Sequence, residues 1–204
     1  MISAQFLLTA LVVVIAPGTG VIFTIAMGLG RGPKAALWSA IGCTLGILPA
    51  LLAASLGLAA VMHTSALLFN TMKFAGVLYL LYLAWQSVKE GGSLSVRAET
   101  DASSGWTICR RAALINILNP KLSVFFLALL PPFLSGTPAT ATSEMLLLGG
   151  IFMALTFVVF VFYGFFAARA RDMLLSSERA MRWLNRGFSA VFVLLAGRLA
   201  MEKA

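Results

Sequence analysis

The chain has 204 residues, 60% of them hydrophobic and only 11% charged, against roughly half and about a quarter in soluble domains. So apolar a chain cannot cover a core with polar surface, which excludes a soluble globular domain and points to an all-α membrane protein. Its 15 Lys and Arg exceed its 7 Asp and Glu, for a formal net charge of +8. In a chain of this kind such an excess reflects where membrane proteins hold their cations, not a nucleic-acid footprint.

A helical span takes about 20 mainly apolar residues, so the sequence is expected to form about six spans in a single transmembrane domain, residues 1–204. The segment from Met1 to Gln5 lacks the positive stretch of a secretory signal, and the first apolar run is therefore expected to be retained. In chain order the runs are Gln5 to Met27, Ala35 to Met62, Ala66 to Val88, Ala112 to Phe133, Met145 to Ala168 and Trp183 to Met201. Pro17-Gly18-Thr19-Gly20 interrupts the first. Proline removes a backbone donor and glycine loosens a helix, so a break is expected at Pro17. Gly30 to Lys34 reads as a tight basic turn before the second run. His63, after the second, reads as an interfacial residue. Lys89 to Arg111 is the longest polar stretch, a cytoplasmic loop punctuated by Gly91-Gly92-Ser93 and Ser103-Ser104-Gly105. Asn119-Pro120-Lys121 interrupts the fourth run, and a second break is expected at Pro120. Trp38, Trp85, Trp106 and Trp183 fall near run ends, as an interfacial belt does.

Cations near span ends are held on the cytoplasmic side. Arg31 and Lys34 lie in the first loop, Lys89, Arg97, Arg110 and Arg111 in the third, and Arg169, Arg171, Arg179, Arg182 and Arg186 in the fifth. The second and fourth loops hold none. The odd loops are thus expected in the cytoplasm and both termini outside, in the periplasm of a bacterial cell.

The first and fourth runs also match each other, Ala16-Pro17-Gly18-Thr19-Gly20-Val21-Ile22-Phe23 against Asn119-Pro120-Lys121-Leu122-Ser123-Val124-Phe125-Phe126. Lys73 with Gly76 in the third run corresponds loosely to Arg186 with Ser189 in the sixth. Two units of three crossings, residues 1–88 and 112–204, must have opposite orientation, which is the inverted-repeat plan of many secondary transporters.

Candidate binding residues come from the two breaks: Pro17, Gly18 and Thr19 from the first, Asn116, Asn119, Pro120 and Lys121 from the second. Broken backbone at membrane depth exposes N–H and C=O groups, tolerated only where protein or a cavity receives them. A packed kink is the competing reading of Pro17 and its neighbours. A Lys within a span costs roughly 3 kcal/mol and usually faces a bundle interior. Lys121 lies about 15 Å along a helix from Arg111, too deep to snorkel easily. A buried ammonium beside two amides could hold a carboxylate, aided by the N–H groups of a broken helix. No Asp or Glu falls inside a run, so no carboxylate proton relay is visible. Cys43 and Cys109 form no metal spacing or disulfide framework, and neither a cofactor nor a metal is expected.

Ala16-Pro17-Gly18, Gly30-Arg31-Gly32, Ala40 to Gly46, Lys73 with Gly76 and Tyr79-Leu80, and Asn119-Pro120-Lys121 running to Leu129-Leu130-Pro131 together resemble the LysE/RhtB family of amino-acid exporters. The resemblance covers nearly the whole chain. It implies a non-enzymatic secondary transporter of the bacterial inner membrane that exports homoserine-, threonine-, leucine- or lysine-type amino acids, driven by the proton gradient. Thr19 stands where the family has a second Pro, and Pro132 where Gln is common. Competing functions are a membrane thiol electron-transfer protein, for which Gly18 and Lys121 stand where cysteines would be needed, and divalent-metal efflux, for which soft or carboxylate ligands are missing. The expected partners are an amino-acid substrate and the bilayer, with homo-oligomerisation left open.

Overall fold

A computed structural model describes residues 2–16, 18–62, 71, 74, 78, 81, 82, 85, 103–135 and 137–169. Every secondary-structure element among the described residues is a helix, with no strand among them. α1 (Ala4–Ile15) and α2 (Thr19–Arg31) are inclined at 56° and together are long and apolar enough for one bent span. α3 (Pro33–Leu45) and α4 (Leu48–Met62) come next, and Pro33–Gly57 reads as a single crossing. α5 (Gly105–Ile117) continues through α6 (Pro120–Val124), a π-helical turn (Phe125–Leu129) and a 3-10 turn (Pro131–Phe133), with a bend of 51° between α5 and the segment Pro120–Phe133. α7 (Pro138–Arg169) is long and apolar enough to cross a membrane unbroken. The expected third span keeps only Thr71, Phe74, Leu78, Leu81, Tyr82 and Trp85 among the described residues, all helical. Pro17, His63, Lys73, Gly76, the loop from Lys89 to Ala102 and the sixth span with Arg186, Ser189 and Trp183 lie outside them.

Several boundaries depart from hydropathy for local reasons. α5 starts at Gly105 rather than Ala112, because Ser104 is an N-cap whose Oγ accepts from Thr107 N at 3.3 Å; a serine in that place satisfies an otherwise orphaned first-turn donor. Arg110 and Arg111 therefore ride on a helix, not in a loop. α7 starts at Pro138 rather than Met145, with Pro in its first turn, where its missing N–H costs nothing. The polar stretch from Ser135 to Glu144 is held together by Glu144, which accepts from Ser135 N, Ser135 Oγ and Thr140 Oγ1, each at 2.7 Å. The first span runs on to Arg31, and the turn into α3 needs Gly32 at φ +83°, a conformation that L side chains avoid.

Helices in lipid gain little by hiding apolar surface from one another, so close approach of small residues does the packing. α3 lies against α5 along Gly42 and Gly46. A Cβ at Gly42 would run into the Cys109 carbonyl, and one at Gly46 would come 2.5 Å from the Ala113 carbonyl. α2 meets α7 where a Cβ at Gly28 would stand 2.5 Å from the Gly164 carbonyl. Larger side chains fill the layer beneath the site, with Phe125 stacked on Phe152 at 4.1 Å and Phe126 edge-on to both. Such pairs contribute about 0.5–1.5 kcal/mol each beyond area burial, and they hold the π-helical turn against α7. At the other end, Arg31 donates to Ser103 Oγ (3.1 Å) and Ser103 O (2.7 Å), which ties the first basic turn to the start of α5.

Candidate functional site

The two helix breaks meet. α1 ends at Ile15, and the last four carbonyls of any helix lack intrahelical donors. Ala16 N returns to Val12 O, Tyr163 on α7 donates its hydroxyl to Ile15 O at 2.8 Å, and Lys121 Nζ donates to Val13 O at 3.1 Å and Ala16 O at 2.8 Å. The ammonium thus sits at the C-terminal end of α1, where the helix dipole favours a cation. It is held there by the second break. Asn119 caps α6, its Oδ1 accepting from Lys121 N at 3.0 Å, and Pro120 takes the first helical position. The sequence pairing of Pro17 with Pro120 is not kept in detail, because Pro120 comes after its N-cap Asn119 whereas Pro17 precedes the N-cap Gly18.

A chain of amides leads away from the ammonium. Asn119 Nδ2 donates to Asn116 Oδ1 at 3.4 Å, and Asn116 Nδ2 donates to Cys43 O at 2.7 Å. That carbonyl lies where α3 ends, and Ile47 N bonds Thr44 O instead, one residue tighter than the helical pattern. Thr24 and Ser39 extend the polar seam between α2 and α3. Thr24 Oγ1 gives its single proton to Gly20 O at 2.9 Å, so Ser39 is the donor in their 2.8 Å contact.

A cavity of about 20 Å³ lies at this junction, room for about one water. Val13, Val14, Val21, Leu122, Phe152 and Phe160 make its apolar wall, while Gly18, Gly20, Asn116, Asn119, Thr156 and Lys121 make the rest. Space restricts position 20, where a Cβ would come 2.6 Å from Asn116 Oδ1, more than position 18, where a Cβ would come 3.2 Å from Lys121 Nζ at the end of a long side chain. The N-cap Gly18 brings no side chain to the first turn of α2.

Of the residues singled out by sequence, Gly18, Asn116, Asn119 and Lys121 come together at the cavity. Thr19 and Pro120 are exposed and do not line it, and Pro17 lies outside the described residues. Sequence reasoning missed Gly20, Thr156 and Tyr163. Thr156 had a signal, as the lone hydroxyl amino acid between Met145 and Phe162, although its proton goes to Phe152 O in its own helix.

Residues 11–203 match the family of LysE type translocators. The chain belongs to this family. Among its relatives, a Vibrio cholerae protein named an uncharacterized membrane protein is 32% identical over 98% of this chain and 96% of its own length. The homoserine/homoserine lactone efflux protein of Salmonella typhimurium is 28% identical over 97% and 95%, and the leucine efflux protein of Enterobacter sp. (strain 638) 26% identical over 96% and 93%. No solved structure matches the chain.

Proposed function

We propose that this LysE type translocator exports amino acids or their close derivatives, as a secondary transporter of the bacterial inner membrane. The observation that carries the reading is the meeting of two helix breaks at one ammonium, two amides and a helix start, walled on one side by apolar side chains. These are the groups an amino-acid backbone calls for. The third N–H of Lys121, with the first-turn N–H groups of α2, would take a carboxylate. The wall of Val, Leu and Phe suits a neutral side chain, and the relatives named for homoserine and for leucine handle such side chains. Homoserine, its lactone and leucine share an amino group, while the lactone has no free carboxylate.

In this reading Pro17, Gly18, Thr19, Asn116, Asn119, Pro120 and Lys121 form the substrate site and its immediate frame, and two inverted three-helix units rock around it. A cavity with room for about one water must enlarge to admit an amino acid. Export draws on the proton gradient. The test is a panel of cells preloaded with single amino acids, with and without the overexpressed protein. Neutral amino acids such as homoserine and leucine are expected to leave faster, and an uncoupler is expected to abolish the difference. Equal retention of every amino acid would overturn the reading, and uncoupler-resistant export would overturn the proton coupling alone.

A further inference from the structure

We propose that the carbonyl oxygens of Val13 and Ala16 form the subsite for the substrate's amino group, and that Lys121 is the resident occupant which the substrate displaces. The inference rests on the amino-acid reading and deepens it. A lysine ammonium and an α-ammonium are the same chemical group, each with three N–H donors. The structure displays how such a group is held, at 3.1 Å from Val13 O and 2.8 Å from Ala16 O. Both residues are buried, Val13 at 1% and Ala16 at 0% exposure, and buried carbonyls must keep a donor. Lys121 therefore cannot leave them unless another donor arrives.

Space makes the same demand. The cavity of about 20 Å³ is too small for an amino acid, since it holds about one water. Among its lining side chains Lys121 is the long unbranched one, whereas Asn116 is anchored on Cys43 O and Phe152 is stacked on Phe125. Swinging Lys121 off the carbonyls would enlarge the cavity and vacate the cradle in one movement. Charge is conserved as well: the α-ammonium replaces the lysine ammonium at the helix end, and the displaced ammonium finds the incoming carboxylate. Among the described residues the only carboxylate is Glu144, which is engaged with Ser135 and Thr140, so no acidic side chain among them could receive Lys121 instead.

The exchange gives the amino group priority over the carboxylate. An amide or lactone of the substrate should still bind, and an N-acetyl derivative should not. Ligand binding to the folded protein raises its melting midpoint by an amount that grows with the logarithm of one plus the ratio of free ligand concentration to Kd, so purified full-length protein in detergent is titrated with two series. One is homoserine, homoserine lactone and N-acetylhomoserine; the other is leucine, leucinamide and N-acetylleucine. Wild type is expected to be stabilised by the first two members of at least one series and left unshifted by the N-acetyl member. In Lys121→Met the free amino acid should need about tenfold more ligand or worse, the scale of one lost charge-assisted hydrogen bond. The lactone or amide should bind that variant as well as wild type or better, its competitor having been removed. Stabilisation of wild type by the N-acetyl compounds would overturn the cradle assignment without the variant, should Lys121→Met fail to fold. A variant that loses the amide and lactone along with the acids would overturn the displacement. If neither homoserine nor leucine shifts wild type, the amino-acid reading itself fails and takes this proposal with it.

Discussion

Asn116 is the side chain on which α3, α5 and the site share a contact. Its Nδ2 holds Cys43 O and its Oδ1 receives Asn119 Nδ2, so replacing it removes a donor from one carbonyl and an acceptor from one amide. Leaving a buried acceptor unsatisfied costs about 1–3 kcal/mol. Asn116→Leu is therefore expected to lower the melting midpoint of the detergent-solubilised protein by several degrees, and an unchanged midpoint would argue against the contact. Gly20→Ala should act on the same amide from the opposite side, because the added methyl would stand 2.6 Å from Asn116 Oδ1. It is expected to reduce export while the protein still inserts, read as efflux normalised to protein in the membrane. Residues of this kind differ in how legible they were. Lys121, Asn116 and Asn119 stand out as polar groups inside apolar runs, where their cost demands a reason. The partners of Lys121 could not be read, because Val13 and Ala16 contribute backbone oxygens and any residue in those places would supply them. Tyr163 hid in a run of aromatics that reads as lipid-facing.

At the level of the helix, proline marked both breaks in the sequence, since the loss of a backbone donor leaves a local trace. Where the chain bends, and by how much, came from capping: Gly18 for α2 and Asn119 for α6. Hydropathy placed the starts of the fourth and fifth spans too late, at Ala112 and Met145. The first turns of α5 and α7 carry serine, threonine and proline, which a hydropathy average counts as loop and a helix uses as caps. The close seam of α3 on α5 was visible only as Gly42 and Gly46, spaced one turn apart, without any sign of what they touch. Its energetic weight can be measured. Gly42→Val would press a branched side chain into the Cys109 carbonyl, which is backbone and cannot swing aside. Overpacking of this sort costs about 1–3 kcal/mol, so a clear fall in the melting midpoint and in membrane yield is expected, and wild-type stability would contradict the packing described.

Across the whole molecule, the alternation of loop cations implies an orientation, and Arg31 bonded to Ser103 places the first and third loops at one end of the described helices. A reporter fused after Ala204 is expected to be active in the periplasm, and a cytoplasmic signal would reverse the topology. In the proposed reading the function is a matter of one junction: two bent helix pairs, an unbroken α7 packed against them, and Lys121 bridging from one break to the other. Removing that bridge should stop transport of amino acids; it also leaves two buried carbonyls without their lysine donor, so the variant is compared with wild type at equal abundance in the membrane. The most direct measurement is amino-acid efflux from preloaded cells expressing wild type or Lys121→Ala, with the amount of each protein in the membrane determined alongside. The account predicts efflux at the level of cells lacking the protein for Lys121→Ala at equal membrane abundance; efflux at the wild-type rate from that variant would contradict it.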